Sequence, residues 1–536
     1  MVRLCSCCFS VLFAALLTVV PSTVQAVRSI RWVDIVNQVD ESTQTGTEDE
    51  LEAEHYSVGN DDVQVHYLKQ SLDHFRLEDE RQFEQRYFYT DRYVNPQATR
   101  EYVFLCVGGE GPALTKAVLV DSVHCTGDMI ETARRLYEKG DFSIHLYALE
   151  HRYYGKSYPK FGPDNSPVTN ENLVYLSSRQ AQADLAHFVA TQNAVLGDNL
   201  AWITFGGSYP GMMAAYARLR FPHYIAAAVS SSAPIQPILD FAAYNNHVAK
   251  VLNDTAVGGS PACLRVFVEG HAALTEMVQD PHNHAQLASD FGLCDAQQLA
   301  ENPRNVEMWL GDGVVQLGTQ GNDPSCDEPL CNIAKKCGAL LQARIQGATP
   351  VQALADLARQ QQQGSCTDLS WEDSLATLSD TTMLKGGWRS WLWQTCTEFG
   401  FYQTCEQKSA CPFGRGFHPL SLDLEICQRA FGVSPDRVAA AVQESMQYYG
   451  GWQLGTTRVL SVNGDVDPWS ELALLHTRTE DLPAFVVPGA SHHFWTHAVK
   501  DTDALQVVGA RELIFATIEQ WLDEIDDEWT RWEVPL

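Results

Sequence analysis

Positive charge is scarce in this sequence. Lys plus Arg number 37 against 67 Asp plus Glu, a formal charge of −30. A field of that sign repels phosphate backbones and anionic membrane surfaces, so nucleic acid is not an expected partner. The bland reading of the excess acid is solubility. The sharper one is work in an acidic compartment, where protonation relieves the self-repulsion. Long apolar runs are also missing. The one candidate, Phe9 to Val20, is shorter than the ~20 residues a membrane span needs. It follows Arg3 and precedes small residues around Val24, Gln25 and Ala26. That layout is expected of a secretory signal cleaved near Ala26, with an uncleaved anchor as the alternative.

Other absences narrow the chemistry. There is no internal repeat and no HExxH frame, and the spacing of Cys326, Cys331 and Cys337 lacks a CxxC knuckle. Three of the 15 cysteines (Cys5, Cys7 and Cys8) lie in the leader, which leaves an even twelve. An even set suits an oxidising compartment and disulfides. Zinc is the rival reading for Cys326, Cys331 and Cys337, though no fourth ligand is near them in sequence. His493 and His497 have the i, i+4 spacing of a metal pair, but without the frame no metal or cofactor is expected. Asn253-Asp254-Thr255 is a glycosylation sequon, with Asn253 as the acceptor.

What is present alternates. Residues 27–62 are polar and acidic and read as a lead-in or propeptide. Strands are expected at 101–112, 142–155, 201–207 and 224–234, and helices at 176–195 and 210–222. Strand–helix alternation implies a mostly parallel sheet covered on both faces. From 237 to 385 the pattern turns helical and cysteine-containing. Strand-like runs resume at 457–464 and 484–490, before an amphipathic closing helix at 510–525. The expected organisation is therefore a signal (1–26), the lead-in (27–62), an α/β domain in two parts (63–236 and 386–536) and a helical cap inserted between them (237–385).

Chemistry concentrates where strands end. "ITFGGSYPGM" (203–212) carries Ser208 between a buried run and a helix. A hydroxyl is a weak nucleophile and needs a base, itself oriented by a third group. A tight strand-to-helix turn presents the hydroxyl and aims helix N–H groups at developing negative charge. The G-x-S-x-G pattern is broken by Pro210, yet proline is tolerated in the first helical turn and Gly211 follows at once. Past the next strand, "VLSVNGDVDPWS" supplies Asp465 and Asp467. Past the one after, "VVPGASHHFW" supplies His492 and His493. Ser, Asp, His is the chain order of a triad built on a strand-to-helix elbow in a parallel sheet. Taken singly, these aspartates could be turn formers and these histidines a surface pair. Ser208 and Asp467 are 259 residues apart, and Asp467 and His492 only 25. The surplus is the inserted segment, placed to act as a cap that favours small or end-tethered substrates.

The motifs "GGSYPGM", "EHRYYGKS", "QTCTEFGFYQTC", "NGDVDPW" and "GASHH" together resemble the serine peptidase family of lysosomal Pro-X carboxypeptidase, dipeptidyl peptidase II and thymus-specific serine peptidase. The similarity runs from about "LDHF" (72–75) to the final helix, and "GGSYPGM" and "QTCTEFGF" resemble the thymus-specific branch in particular. The resemblance implies an α/β-hydrolase fold with a helical cap, cleavage beside proline, and residence in lysosomes, vesicles or the secretory route. It maps the nucleophile to Ser208, the acid to Asp467 and the base to His492, with His493 as the fallback and Asp465 a turn residue. The oxyanion hole would be the Tyr209 N–H with the turn at Gly108 and Gly109. Met212, Phe401 and Trp469 fall where the family builds an apolar proline pocket. Two departures stand out. Phe401 replaces a smaller residue of the carboxypeptidase, and "HHFWTH" differs from its charged segment, which puts recognition of a substrate C-terminus in doubt. Peptides are the expected substrates, and self-association as a homodimer stays open. An esterase or lipase on the same fold, or a catalytically silent binding relative, are the competing functions.

Overall fold

The computed structural model describes residues 26–28, 62–197 and 200–533. The expected signal and acidic lead-in lie outside the described residues, apart from Ala26–Arg28 and Asp62. Ala26–Arg28 runs parallel to Cys366–Asp368.

Eight strands form the central sheet: β1 (Gln64–Ser71), β2 (Gln82–Tyr93), β3 (Arg100–Val107), β4 (Phe142–Leu149), β5 (Ala201–Gly207), β6 (Ile225–Ser231), β7 (Val459–Gly464) and β8 (Ala484–Val487). Their order across the sheet is β8-β7-β6-β5-β3-β4-β2-β1. β3 to β8 are parallel, whereas β2 pairs antiparallel with both β1 and β4. This edge hairpin is not part of the alternation read from the sequence. Its strands are rich in polar residues because β1 faces solvent along most of its length. β4, in contrast, is buried at all eight positions, as a strand covered on both faces must be.

The covering helices explain that burial. α1 (Glu131–Glu138) links β3 to β4, α2 (Ser178–Leu196) links β4 to β5, and α3 (Tyr209–Arg220) links β5 to β6. α2 starts where the Ser177 side chain accepts the Gln180 N–H. α2 and α3 pack on one face of the sheet, through Leu185, Phe188, Met213 and Tyr216 among others. The closing helix α4 (Leu505–Glu533) packs on the other face with α1. Its Ala510, Ile514, Ile518, Trp521, Leu522 and Ile525 recur at helical spacing on one buried stripe. This is the α/β-hydrolase architecture.

Between β6 and β7 the chain leaves the sheet. Helices run from Ala242 to Tyr449, so the helical excursion extends beyond residue 385 and the sheet is re-entered only at Val459. Two short parallel strands, Ile238–Asp240 and Gly400–Tyr402, tie the start of the excursion to its later part. Six disulfides pair all twelve cysteines from Cys106 onward. Cys326 pairs with Cys331 and Cys337 with Cys263, so the alternative zinc reading gives way to disulfides. Five of the six bridges lie within the excursion, and Cys106–Cys125 pins the connection after β3. Among the described residues, no helix is long and apolar enough to cross a membrane. Asn253 is exposed, at the end of the helix Ala242–Asn253.

Candidate active site

Ser208 sits on the turn between β5 and α3 with φ 62° and ψ −130°. A non-glycine residue in that region is strained and persists only where its surroundings over-determine it. The surroundings do so here. A Cβ on Gly206 would lie 2.4 Å from the Pro210 carbonyl oxygen, and one on Gly207 would lie 2.8 Å from the His493 ring. The strand therefore meets the helix at Gly206, and the His493 ring at Gly207, too closely for any side chain. The Ser208 N–H donates to the Ser231 carbonyl at 2.8 Å, and the Met212 N–H closes the first helical turn onto the Ser208 carbonyl at 3.0 Å. Pro210 occupies the first turn of α3, where its missing N–H costs no hydrogen bond.

Ser231 and Ser232, at and just past the end of β6, link this elbow to the other loops. Ser231 Oγ accepts the Trp495 indole N–H at 3.0 Å, and Ser232 Oγ accepts the His493 backbone N–H at 2.8 Å. Ser232 N–H in turn donates to the Val462 carbonyl of β7, at 2.7 Å. The segments that carry Ser208, Asp467 and His492 thus share one set of anchors.

Asp467 is fully buried, and its Oδ2 lies 2.7 Å from His492 Nδ1. Its Oδ1 accepts the Trp469 N–H at 3.0 Å, which caps the short turn Pro468–Leu472. A carboxylate can only accept, so Nδ1 carries the proton and Nε2 presents a lone pair. Nε2 is buried and has no hydrogen-bond partner, Ser208 Oγ included. A buried acceptor without a partner is costly and marks a site that a donor is meant to fill.

The neighbouring candidates take other roles. Asp465 Oδ1 accepts the Gly489 N–H at 2.6 Å, the turn function anticipated for it. His493 is buried. Burial first, then His492, His497 and His124 around it, push its pKa well below 6.5. Its Nδ1 is 3.1 Å from Thr496 Oγ1, so it packs under the elbow as a neutral ring.

The turn after β3 carries Gly108, Gly109 and Glu110. The Gly108 N–H donates to the Leu149 carbonyl at 2.9 Å, so it extends the β3–β4 pairing and is already committed there. Assigning Gly108 to the oxyanion hole is corrected on that ground; the pair that stays open is Tyr209 with Gly109. Gly109 stands against the elbow, since a Cβ there would lie 2.4 Å from Pro210 Cγ. Beside it, burial pushes the Glu110 carboxyl up to about 7.

Tyr209 is held from behind by residues the site reading did not name. Burial lowers His151 to about 4, so its ring is neutral. Its Nδ1–H donates to the Arg152 carbonyl at 2.7 Å, which leaves Nε2 to accept the Tyr209 hydroxyl at 2.9 Å. Gln394 Nε2 donates to the same hydroxyl at 2.9 Å, and Gln394 Oε1 accepts from Tyr154 at 2.6 Å. These residues stand in the "EHRYYG" and "QTCTEFGF" motifs, the only sequence signal for them.

Met212, Phe401 and Trp469 are buried in one apolar cluster. Phe401, with φ 68°, meets Trp469 edge-on at 5.5 Å, and the Trp469 ring is 6.3 Å from that of His492. Phe241 and Tyr244 complete an aromatic surround of Trp469 at 5.5 and 5.6 Å.

A strained serine at a strand-to-helix elbow and a carboxylate-held imidazole with a free lone pair, on this sheet, define a serine hydrolase of the α/β-hydrolase fold. The comparisons with known proteins narrow the class. Residues 70–514 match the model of the family described as Serine carboxypeptidase S28, and the chain belongs to that family of serine peptidases. It is 35% identical over 469 residues to the thymus-specific serine protease of Mus musculus, covering 86% of this chain and 87% of that one. Against the thymus-specific serine protease of Homo sapiens the identity is 33% over 469 residues, with 85% and 86% covered. The lysosomal Pro-X carboxypeptidase of Bos taurus is similar at 25% identity over 467 residues, with 86% and 88% covered.

Proposed function

We propose that this peptidase cleaves short peptides beside proline through an acyl-enzyme formed on Ser208, in the secretory pathway or the lysosome. The observation that carries the mechanism is the buried, unpartnered Nε2 of His492, whose ring Asp467 holds from the other side. As Ser208 Oγ attacks the scissile carbonyl, Nε2 takes its proton, and Asp467 stabilises the imidazolium. The Tyr209 and Gly109 N–H groups receive the oxyanion; donors of this kind each contribute about 10²–10³ in rate. His492 then protonates the leaving amine. Water enters, gives one proton to Nε2 and adds to the acyl carbon; the ester bond to Ser208 then breaks as Nε2 returns that proton to Oγ, and the acid product departs. No metal or cofactor takes part.

The proline preference is supported by the apolar cluster of Met212, Phe401 and Trp469 and by the Pro-X carboxypeptidase among the relatives. Six disulfides and that relative's lysosomal name support the compartment. A peptide-library digest read by mass spectrometry at pH 5 and pH 7 tests the reading. New termini beside proline are expected. Hydrolysis of simple aryl esters with no cleavage beside proline would reject it.

A further inference from the structure

One residue of the helical excursion bonds to the loops that carry Asp467 and His492. The loop 313–332 connects two helices, Pro303–Asp312 and Ile333–Ile345. It is fastened at several points to its own surroundings. Lys336 Nζ donates to the Leu317 carbonyl at 2.7 Å, Asn322 Oδ1 accepts the Ile333 N–H at 2.9 Å, and Asn332 Nδ2 donates to the Asp323 carbonyl at 3.1 Å. The Cys326–Cys331 bridge closes its far end. The loop is thus fastened within the excursion, and the ion pair of Asp323 with Lys500 at 3.8 Å adds one tie to the hydrolase part.

Gln320 of this loop is buried and makes two bonds toward the site. Its backbone carbonyl accepts the His492 N–H at 3.0 Å. Its side-chain Oε1 accepts the Trp469 indole N–H at 2.9 Å. Indole nitrogen only donates, so the oxygen end of the amide is fixed in that direction. The Tyr244 hydroxyl approaches the same oxygen at 3.4 Å.

These bonds close a circuit. Gln320 O holds His492 N–H; His492 Nδ1–H is held by Asp467 Oδ2 at 2.7 Å; Asp467 Oδ1 holds Trp469 N–H at 3.0 Å; and Trp469 Nε1–H returns to Gln320 Oε1. Acid and base sit on separate loops, after β7 and β8. Within the circuit their mutual geometry is fixed twice, once directly and once through Gln320. A ring of satisfied buried hydrogen bonds rigidifies more than its separate members.

We propose that Gln320 is a positioning residue for acyl transfer, supplied to the Asp467–His492 pair by the inserted segment. The inference rests on the triad reading above. The insertion then does more than restrict access: the base is correctly aimed only while the 313–332 loop is seated on it.

The test uses the whole protein and a fluorophosphonate probe, which reports serine activation without needing the natural peptide. Gln320→Met keeps size and apolar packing but removes the acceptor. It is expected to lower the maximal labelling rate of Ser208 about tenfold, the equivalent of one ordinary hydrogen bond. Probe affinity should stay within about twofold and labelling should still reach full stoichiometry. Gln320→Glu retains an oxygen for the indole and should recover to within about threefold of the parent. Should Gln320→Met give no folded protein, Trp469→Phe breaks the same link from the other side and should show the same fall in rate. Parental labelling by Gln320→Met or by Trp469→Phe overturns the proposal. So do equal impairment of the Met and Glu variants, and a loss confined to the fraction of molecules labelled. A parent that is not labelled at Ser208 sinks the triad reading itself, and this inference with it.

Discussion

His492 Nδ1 lies 2.7 Å from Asp467 Oδ2, and the far nitrogen of the same ring is buried without a partner. The carboxylate fixes which nitrogen bears the proton. Asp467→Asn can present an amide N–H to the ring and favour the other tautomer, with the proton on Nε2 and no lone pair for Ser208. The expected result is a kcat lowered by about three to four orders of magnitude with KM little changed. Kinetics on a cleaved peptide check this, with the melting temperature as the control for folding. A variant retaining a tenth of parental kcat would show that Asp467 does not set the tautomer.

Phe401 meets Trp469 edge-on and stands in a positive-φ position beside Gly400. Truncating it enlarges the apolar surround rather than touching the acid–base pair. Phe401→Ala should therefore relax the choice of residue before the cleaved bond while Ser208 stays reactive to a fluorophosphonate. Large apolar residues should gain on proline in a competition digest. An unchanged preference would place Phe401 in the core only. Loss of probe reactivity together with preference would mean the substitution has disturbed the site at large, as Phe-to-Ala changes in cores cost about 3–5 kcal/mol.

Asp128 gives a pH dependence whose sign is fixed. It lies on the turn Thr126–Ile130, which packs against the turn Phe494–Thr496 after the histidine pair. Its Oδ2 has no partner, and burial pushes its pKa from 3.8 to about 7, against the lowering effects of the Met129 N–H and of Arg511. Folded protein holds this proton up to about 7, while unfolded chain releases it near 3.8. The contribution is therefore most favourable in acid and is lost as pH rises through that window. Asp128→Asn mimics the protonated form. It should match the parent only near or below pH 3.8 and exceed it in melting temperature by a margin that grows from pH 5 to pH 8, where it is on the order of a few kcal/mol in stability. A difference that is the same at both pH values would refute the assignment.

How much of this was legible in the sequence varies with the range of the interaction. Ser208, Asp467 and His492 could be placed because each follows an apolar run, and strand ends in a parallel sheet converge. Choosing Asp467 over Asp465, and His492 over His493, needed the family resemblance, since both members of each pair follow the same strand. The two antiparallel edge strands were missed because half-exposed strands carry little apolar signal. The Gly108 N–H looked available in sequence, but its use depends on where β4 ends. Gln320 had no signal at all. It lies in an irregular loop far from either partner, and only the fold of the insertion brings it to Trp469 and His492.

The central claim is that one hydroxyl, on one strained turn, is activated by His492. Parent protein and Ser208→Ala are each treated with a fluorophosphonate probe, and the adduct is located by peptide mapping. The account predicts a single adduct on Ser208 in the parent, none in the variant, and loss of peptide hydrolysis in parallel. An adduct on another serine, or a Ser208→Ala protein that digests peptides at the parental rate, would contradict it.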